Sequence, residues 1–101
     1  MRQKMIALIA TLDTKGEEAS YLLKRIEDMG AKAISIDGGI SGEPYFKPDI
    51  DRESVARRAG TTFDDIRKIK EEGVAIEKMA YGIGNILKAV SYTHLTLPTK
   101  A

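Results

Sequence analysis

The sequence predicts an α/β fold: a Rossmann-like parallel sheet with flanking helices, present here as an incomplete unit of one N-terminal βαβ motif plus helices. The first of two observations is the run Met5 to Ala10, which is entirely apolar or small. It is too short for a helix and too apolar for a half-exposed strand, so it is typical of a strand buried on both faces. The second is another strand-like run, Ala31 to Asp37, which follows one amphipathic segment. The two strands and the segment between them make a right-handed βαβ unit the simplest topology.

The composition is typical of one small domain. The chain has 101 residues, of which 43% are hydrophobic and 31% charged, with a net charge of +1. Basic residues are interleaved with acidic ones, which argues against a nucleic-acid partner. The absence of cysteine excludes disulfides, thiolate metal sites and cysteine nucleophiles. The N-terminal apolar run is too short for a signal peptide or a membrane span, so we expect a cytoplasmic protein without a membrane partner.

The segment between the two strands has the pattern of an amphipathic helix. Thr14 and Glu17 match a capping box, which predicts that the helix begins at Lys15 with Thr14 as its N-cap. Gly30 is expected to end it in a left-handed conformation. One apolar stripe should face the sheet, formed by Ala19, Leu22, Leu23, Ile26 and Met29.

A loop and two short helices are predicted to follow the second strand. Three glycines and two prolines between Gly38 and Pro48 predict a loop, and loops of this length in compact domains are usually functional. Asp51 can cap a helix from Arg52 to Ala59, which Gly60 closes. Thr62 can cap the next helix, from Phe63 onward.

The last predicted helix contains two glycines. We expect the preceding helix to break or bend near Gly73 and the final one to follow it. Gly82 and Gly84 each cost about 1 kcal/mol relative to alanine inside a helix, which indicates close packing on the sheet. The apolar face is predicted to comprise Ile76, Met79, Ala80, Ile83, Ile86 and Leu87, with Val90 as a further candidate.

The loop after the first strand carries the strongest candidate site: Thr11, Asp13, Thr14, Lys15 and Gly16. A helix N-terminus offers unpaired amides, Lys15 adds a charge, and Gly16 lets a ligand approach the backbone, which together suit a phosphate. Asp13 can hold Mg²⁺ against that phosphate. The structural alternative has equal weight: Thr14 is only a cap and Lys15 a solvated side chain. Neither a P-loop nor a G-x-G-x-x-G fingerprint is present.

The end of the second strand holds a weaker candidate. Asp37 lies where a ribose-binding acid lies in a dinucleotide domain, next to Gly38 and Gly39. Without the glycine fingerprint, we favour an Asp that only starts the turn. Tyr45 and Phe46 in the following loop can stack on a base, although anchoring the loop is the commoner use of such a pair.

No metal site is predicted. Asp49 and Asp51 have the i, i+2 spacing of some metal ligands, but capping by Asp51 explains the pattern better. The single histidine, His94, belongs to the segment Val90 to Ala101, which lacks helical periodicity and resembles the translation of a transposon adapter used in sequencing-library preparation. We therefore interpret residues 90–101 as a non-native tail and give His94 no role.

Four segments together resemble a known family. They are I-A-T-L-D-T-K-G-E-E (Ile9 to Glu18), I-D-G-G-I-S-G-E-P (Ile36 to Pro44), D-I-D-R-E-S-V-A-R-R-A-G (Asp49 to Gly60) and G-V-A-I-E-K-M-A-Y-G-I-G-N-I-L (Gly73 to Leu87). With these segments the chain resembles the N-terminal part of the ATP-binding protein family related to the tomato mosaic virus resistance protein. The resemblance covers nearly all of residues 4 to 89.

The resemblance implies a two-domain α/β protein of unsettled biochemical role. Residues 1–89 would be the N-terminal fragment of its nucleotide-binding domain, with ATP as the ligand, with or without Mg²⁺, and the full-length parent as a candidate homo-oligomer. Family members continue into a strand and a second glycine-rich loop of the G-G-S-G-G kind, and they usually have a larger apolar residue in place of Gly38. The implied nucleotide site comprises Thr11, Asp13, Thr14, Lys15 and Gly16, with Asp37, Gly38 and Gly39 beside it.

Two other functions stay open at this point, and no reaction or catalytic residue is assigned. The domain could be a non-catalytic interaction or oligomerisation module, in which the Thr11 to Gly16 loop is only a well-capped helix start. It could also be a metal-assisted enzyme that uses Asp13 and Asp37 on a small phosphorylated or acidic substrate. Nucleotide titration distinguishes the interaction module from a nucleotide-binding domain. Turnover that is lost in Asp13→Asn would indicate the metal-assisted enzyme.

Overall fold

A computed structural model describes the backbone of residues 4–93 and the side chains of residues 4–89. The elements are β1 (Met5–Ala10), α1 (Gly16–Asp28), β2 (Lys32–Asp37), α2 (Arg52–Arg58), α3 (Phe63–Arg67) and α4 (Glu72–Thr93). β1 and β2 pair in parallel and form a two-stranded sheet. The predicted class, an incomplete α/β unit with flanking helices, is confirmed.

The helices cover opposite faces of this sheet. Ala7 pairs with Ile34, and on their face Ile36 joins a buried cluster with residues of α2, α3 and α4. The other face carries Ala33 and the buried Ser35, which border one cavity together with side chains of α1. Side chains alternate across a strand, so α1 lies on one side and α2 to α4 on the other. The main core comprises Ile36, Val55, Ala56, Ile66, Ala75, Met79 and Ile86.

α1 buries a narrower stripe than its sequence predicts. Ala19 is buried and Leu23 and Ile26 are half-buried, whereas Leu22 and Met29 are 49% and 77% exposed. A sheet of only two strands is too narrow to cover a full helix face. The predicted helix end is confirmed, since Gly30 has a φ of +87°.

The two short helices follow their predicted capping residues. The Asp51 carboxylate accepts from the Ser54 amide at 2.8 Å, and the Thr62 hydroxyl accepts from the Asp65 amide at 3.2 Å. The expected break near Gly73 lies slightly earlier in the chain: α3 ends at Arg67, α4 begins at Glu72, and Gly73 lies inside the first turn of α4.

At Gly82, α4 packs on α2 rather than on the sheet. A Cβ on Gly82 would overlap the carbonyl oxygen of Val55, whereas Gly84 has no atom within 4 Å of such a Cβ. The predicted apolar face is confirmed at Met79, Ile83, Ile86 and Leu87, whereas Ile76 is 52% exposed and Ala75 is buried in its place. The predicted packing against the sheet is therefore corrected to packing against α2 at Gly82 alone.

The end of α4 extends past the expected limit of regular structure. The helix runs to Thr93, so residues 90–93 of the expected tail are helical, contrary to their lack of periodicity. Residues 94–101, including His94, lie outside the described residues. Among residues 4–93, no helix is both long and apolar enough to cross a membrane.

Candidate functional site

The two loops singled out in the sequence meet at the carboxyl edge of the sheet. The Leu12 amide donates to Asp37 Oδ1 at 3.1 Å, and the Gly38 amide donates to the Ala10 carbonyl at 2.9 Å. The Tyr45 amide donates to the Leu12 carbonyl at 2.9 Å. The fold thus brings the predicted residues of the first loop together with those of the second, at the position where parallel α/β proteins bind ligands.

The start of α1 differs from the predicted capping box. The N-cap is Lys15, and no side chain caps the helix. Thr14 lies one residue too early, and its hydroxyl pairs with the Thr11 hydroxyl at 2.7 Å. The amides of Thr14 and Lys15 both donate to the Thr11 carbonyl, which forms a tight turn before the helix. Because the turn places Lys15 at the N-cap, the helix starts one residue later than predicted and the Thr14 side chain does not cap it.

The first turn of α1 consequently leaves backbone donors unpaired. The amides of Gly16, Glu17 and Glu18 make no hydrogen bond within the described residues, and no side-chain cap supplies an acceptor. The Lys15 side chain is exposed at the same end. Unpaired amides with a neighbouring ammonium suit an anion, because the helix dipole adds a partial positive charge there.

Gly16 is closed to a ligand by a residue of the second loop. A Cβ on Gly16 would overlap Cβ of Tyr45, and Gly16 is buried. The close approach that glycine allows is therefore made by Tyr45 of the same chain. The Tyr45 side chain is still 62% exposed, so its anchored backbone presents a free aromatic surface beside the start of α1.

Asp37 holds the two loops together from a fully buried position. Its side chain is 1% exposed, and Oδ1 accepts from the Leu12 and Gly39 amides. Oδ2 accepts from Arg52 Nε at 3.0 Å. The bond to Gly39 matches the turn-starting role favoured from the sequence. Because it is fully buried, Asp37 presents no exposed acceptor for a ribose in this arrangement.

Arg52, at the first position of α2, is the residue of the candidate site that sequence reasoning missed. Its Nη1 donates to the carbonyl oxygens of Ser41 and Gly42, and its guanidinium lies 5.2 Å from the centroid of the Phe63 ring. Its side chain is only 12% exposed. A residue of this kind belongs to no periodic pattern in the sequence. Its one local signal is its position directly after Asp51, the N-cap of α2.

Asp13 anchors the second loop through its side chain. Asp13 Oδ2 accepts from the Ser41 amide at 3.0 Å and from the Ser41 hydroxyl at 2.9 Å. Burial raises the pKa of the Asp13 carboxyl, but the hydrogen bonds from Ser41 and the charge of Arg52 outweigh it and hold the pKa below its ordinary value. The carboxylate is therefore ionised at neutral pH.

Two buried polar atoms beside Gly39 have no partner within the described residues. They are Asp13 Oδ1 and Arg52 Nη2, and a Cβ on Gly39 would press against both. An acceptor and a donor that face the same small space can be bridged by one water molecule. Glycine at position 39 thus keeps room for a polar connection between the first loop and α2.

The acidic residues of the site do not assemble a metal centre. Among the described residues, no group of three or more His, Cys, Asp or Glu side chains could hold a metal ion. Asp49 accepts from the Ser35 amide at 2.9 Å, and Asp51 caps α2. Both therefore have structural partners.

A cavity of about 550 Å³ opens on the α2 side of the second loop. Arg52 and Arg67 bring positive charge to its wall, Phe63 an apolar surface, and Glu43 and Asp51 negative charge. Thr11, Thr14 and Lys15 do not line it. This cavity is thus separated from the start of α1 by the loop itself.

Comparison with known proteins identifies the family. The family model described as "Uncharacterised protein family (UPF0261) N-terminal domain" matches residues 4–96. The chain belongs to the UPF0261 family. A UPF0261 protein of Clostridium tetani is 41% identical over 88 residues, covering 87% of this chain and 22% of the relative. UPF0261 proteins of Brucella suis and Brucella melitensis are each 34% identical over 86 residues, covering 85% of this chain and 21% of the relative.

Membership of UPF0261 corrects the resemblance stated from the sequence. The matches are to UPF0261, not to the ATP-binding family related to the tomato mosaic virus resistance protein. This UPF0261 chain spans about a fifth of the length of the curated relatives it matches. No solved structure shows significant similarity to it.

Proposed function

We propose that this UPF0261 domain binds the phosphates of a nucleotide, with ATP as the expected ligand, at the loop from Thr11 to Gly16 and the start of α1. The observation that carries the proposal is the pair of unpaired amides at the exposed residues Glu17 and Glu18, beside the exposed Lys15. Backbone donors at a helix start bind phosphate oxygens, and the ammonium adds a full charge.

Magnesium is part of the proposal for an electrostatic reason. Glu17 and Glu18 in the first turn are exposed and place two negative charges at the end that would receive a triphosphate. A bound Mg²⁺ offsets that repulsion, so we expect the nucleotide to bind as its magnesium complex. Asp13 Oδ2 is committed to Ser41 and Oδ1 is buried, so we expect the phosphates rather than Asp13 to hold the Mg²⁺.

The second loop supports the proposal through Tyr45. Its backbone is tied to Leu12 and its Cβ contacts Gly16, while most of its side chain is exposed beside the proposed phosphates. An exposed ring on an anchored backbone provides a surface on which a base can stack. Asp37, Gly38 and Gly39 contribute by holding this loop in place, and no reaction is proposed.

Amide chemical shifts of the ¹⁵N-labelled chain during titration with magnesium ATP test this proposal. We expect the largest shifts at Lys15 and the first three residues of α1. Lys15→Ala should weaken binding about three- to tenfold through loss of one charged hydrogen bond. Lys24→Ala, an exposed lysine further along α1, is the matched control and should bind like the wild type.

Two further ligands distinguish the phosphate-binding part of the proposed site from the base-binding part. Inorganic triphosphate should shift the same amides, whereas adenosine should shift only residues near Tyr45. An absence of shifts at about 10 mM magnesium ATP would contradict the proposal and favour the interaction module, because such a site would have no useful affinity.

A further inference from the structure

The edge of β1 that faces away from β2, called the outer edge here, has backbone groups that no residue of the described range 4–93 pairs with. The Lys32 amide donates to the Lys4 carbonyl at 2.8 Å and the Gly38 amide donates to the Ala10 carbonyl at 2.9 Å, at the two ends of the ladder. In a parallel ladder, alternate residues of a strand bond to the same neighbour. Ile6, Leu8 and Ala10 therefore bond to β2, while Met5, Ala7 and Ile9 direct their amides and carbonyls to the outer edge.

Apolar side chains accompany this open edge on both faces of β1. Ile6 is 41% exposed and Ile9 is 42% exposed, and the two point to opposite faces because their positions differ by three. Strands of solvent-facing edges usually carry charged or polar side chains. An apolar strand exposed on both faces is instead typical of a strand inside a wider parallel sheet.

The opposite edge of the sheet is already closed over its carboxyl half. The Ile50 amide donates to the Ser35 carbonyl, the Asp37 amide donates to the Ile50 carbonyl, and the Ser35 amide donates to Asp49 Oδ2. Ile50 thus forms a parallel bridge with Ile36. A further strand of full length has no room beside β2 along this half.

The positions of the helices also indicate that a further strand lies next to β1 rather than next to β2. Crossovers between parallel strands are almost always right-handed. If the helices of one connection lie on one face and those of the next connection lie on the opposite face, the two connections therefore add their strands in opposite directions across the sheet. α1 covers the face of Ser35, and α2 to α4 cover the face of Ile36. A strand that follows α4 must therefore lie on the β1 side of β2, which means beyond β1.

We propose that the outer edge of β1 receives a parallel strand from the remainder of the full-length UPF0261 polypeptide, which gives the order β2, β1, added strand. The curated relatives are about four times as long as this chain, so such a segment is available within the same polypeptide. β1 then becomes an interior strand, with Ile6 and Ile9 covered by the strand and its helices.

This order also places the site at a topological switch point. The connections from β1 and from the added strand leave in opposite directions, and ligands of open α/β sheets bind in the crevice that results at the carboxyl ends. The loop after the added strand would face Thr11 and Lys15. This consequence rests on the proposed function, whereas the strand itself does not.

Hydrogen exchange at single-amide resolution, without nucleotide, tests the added strand. In this chain, the amides of Ala7 and Ile9 should exchange at least about tenfold faster than that of Leu8, because only the latter is bonded. In the full-length Clostridium tetani relative, all three aligned amides should be protected alike. The amides of Ser35 and Asp37, which are bonded to the segment at Ile50, serve as the internal control and should be protected in both proteins.

Two results would overturn the proposal. One is fast exchange at the aligned outward amides of the full-length relative while their neighbours stay protected, which would leave the edge open. The other is protection of Ala7 and Ile9 in this chain that rises with protein concentration together with a dimeric mass, which would assign the edge to a second copy. Because no nucleotide is present, either result leaves the titration with magnesium ATP as a separate test.

Discussion

At the scale of single residues, the two loops of the candidate site are held by a buried ion pair. Asp37 binds the first loop at Leu12 and the second at Gly39, and Arg52 ties Asp37 to the carbonyls of Ser41 and Gly42. The stacking of Arg52 on Phe63 extends this connection to α3. The conformation of the loop beside α1 thus depends on a residue that belongs to α2.

Arg52→Met tests this connection. We expect a loss of about 3 to 5 kcal/mol in the free energy of unfolding, because the substitution leaves the Asp37 carboxylate buried and unpaired. Urea denaturation followed by circular dichroism measures it.

Arg57→Met is the matched control for that experiment. Arg57 pairs with Glu53 in an exposed i, i+4 bridge, with 74% of its side chain exposed, so the loss should stay within about 0.5 kcal/mol. Arg52→Lys, which keeps the charge without the planar fork, should fall between the two variants. Equal losses for Arg52→Met and Arg57→Met would show that Arg52 does not hold the loops.

At the scale of elements, the helices on the α2 side meet through a glycine. Gly82 lets α4 approach the backbone of α2 at Val55 so closely that a Cβ would overlap its carbonyl oxygen. Gly84, two residues later, faces open space. The two glycines have the same intrinsic helix propensity. A difference between the stability effects of their substitutions therefore reports packing rather than propensity.

Gly82→Ala and Gly84→Ala should therefore change stability in opposite directions. Gly82→Ala forces α2 and α4 apart and should cost about 1 to 3 kcal/mol. Gly84→Ala should raise the free energy of unfolding by up to about 1 kcal/mol, since it removes only the helix penalty of glycine. Both are measured by urea denaturation. A stabilising Gly82→Ala would mean that α4 does not contact α2 at this point.

At the scale of the whole molecule, one cluster joins β2, α2, α3 and α4. Met79 lies within it at 1% exposure and packs with Ile36, Val55 and Ile66. A domain of this size has about 5 to 10 kcal/mol of stability in total. A single large cavity in this cluster therefore removes a substantial part of it.

Met79→Ala is expected to cost about 2 to 5 kcal/mol and to lower the unfolding midpoint of all helices together. Ile76→Ala, at a position that is 52% exposed on the same helix, should cost less than about 1 kcal/mol. Thermal unfolding by circular dichroism and by tyrosine fluorescence should give coincident transitions for each variant. Similar losses in the two variants would contradict the burial that separates them.

Local features of the chain were predictable from its sequence. The apolar runs predicted β1 and β2, Asp51 and Thr62 predicted the starts of α2 and α3, and Gly30 predicted the end of α1. Each depends on side-chain patterning or on hydrogen bonds that span three or four residues. Such interactions are nearly the same in any fold that contains the segment.

Only the tertiary structure decided how the candidate site is built. The partners of Asp13 and Asp37 lie 28 and 25 residues away, at Ser41 and Leu12. The same holds for Tyr45, which fills the space at Gly16, and for Arg52, which has no pattern of its own. The sequence by itself determined which segments become strands, loops and helices. Which loop closes on which was decided by packing, because contacts between distant segments exist only once both faces of the sheet are covered.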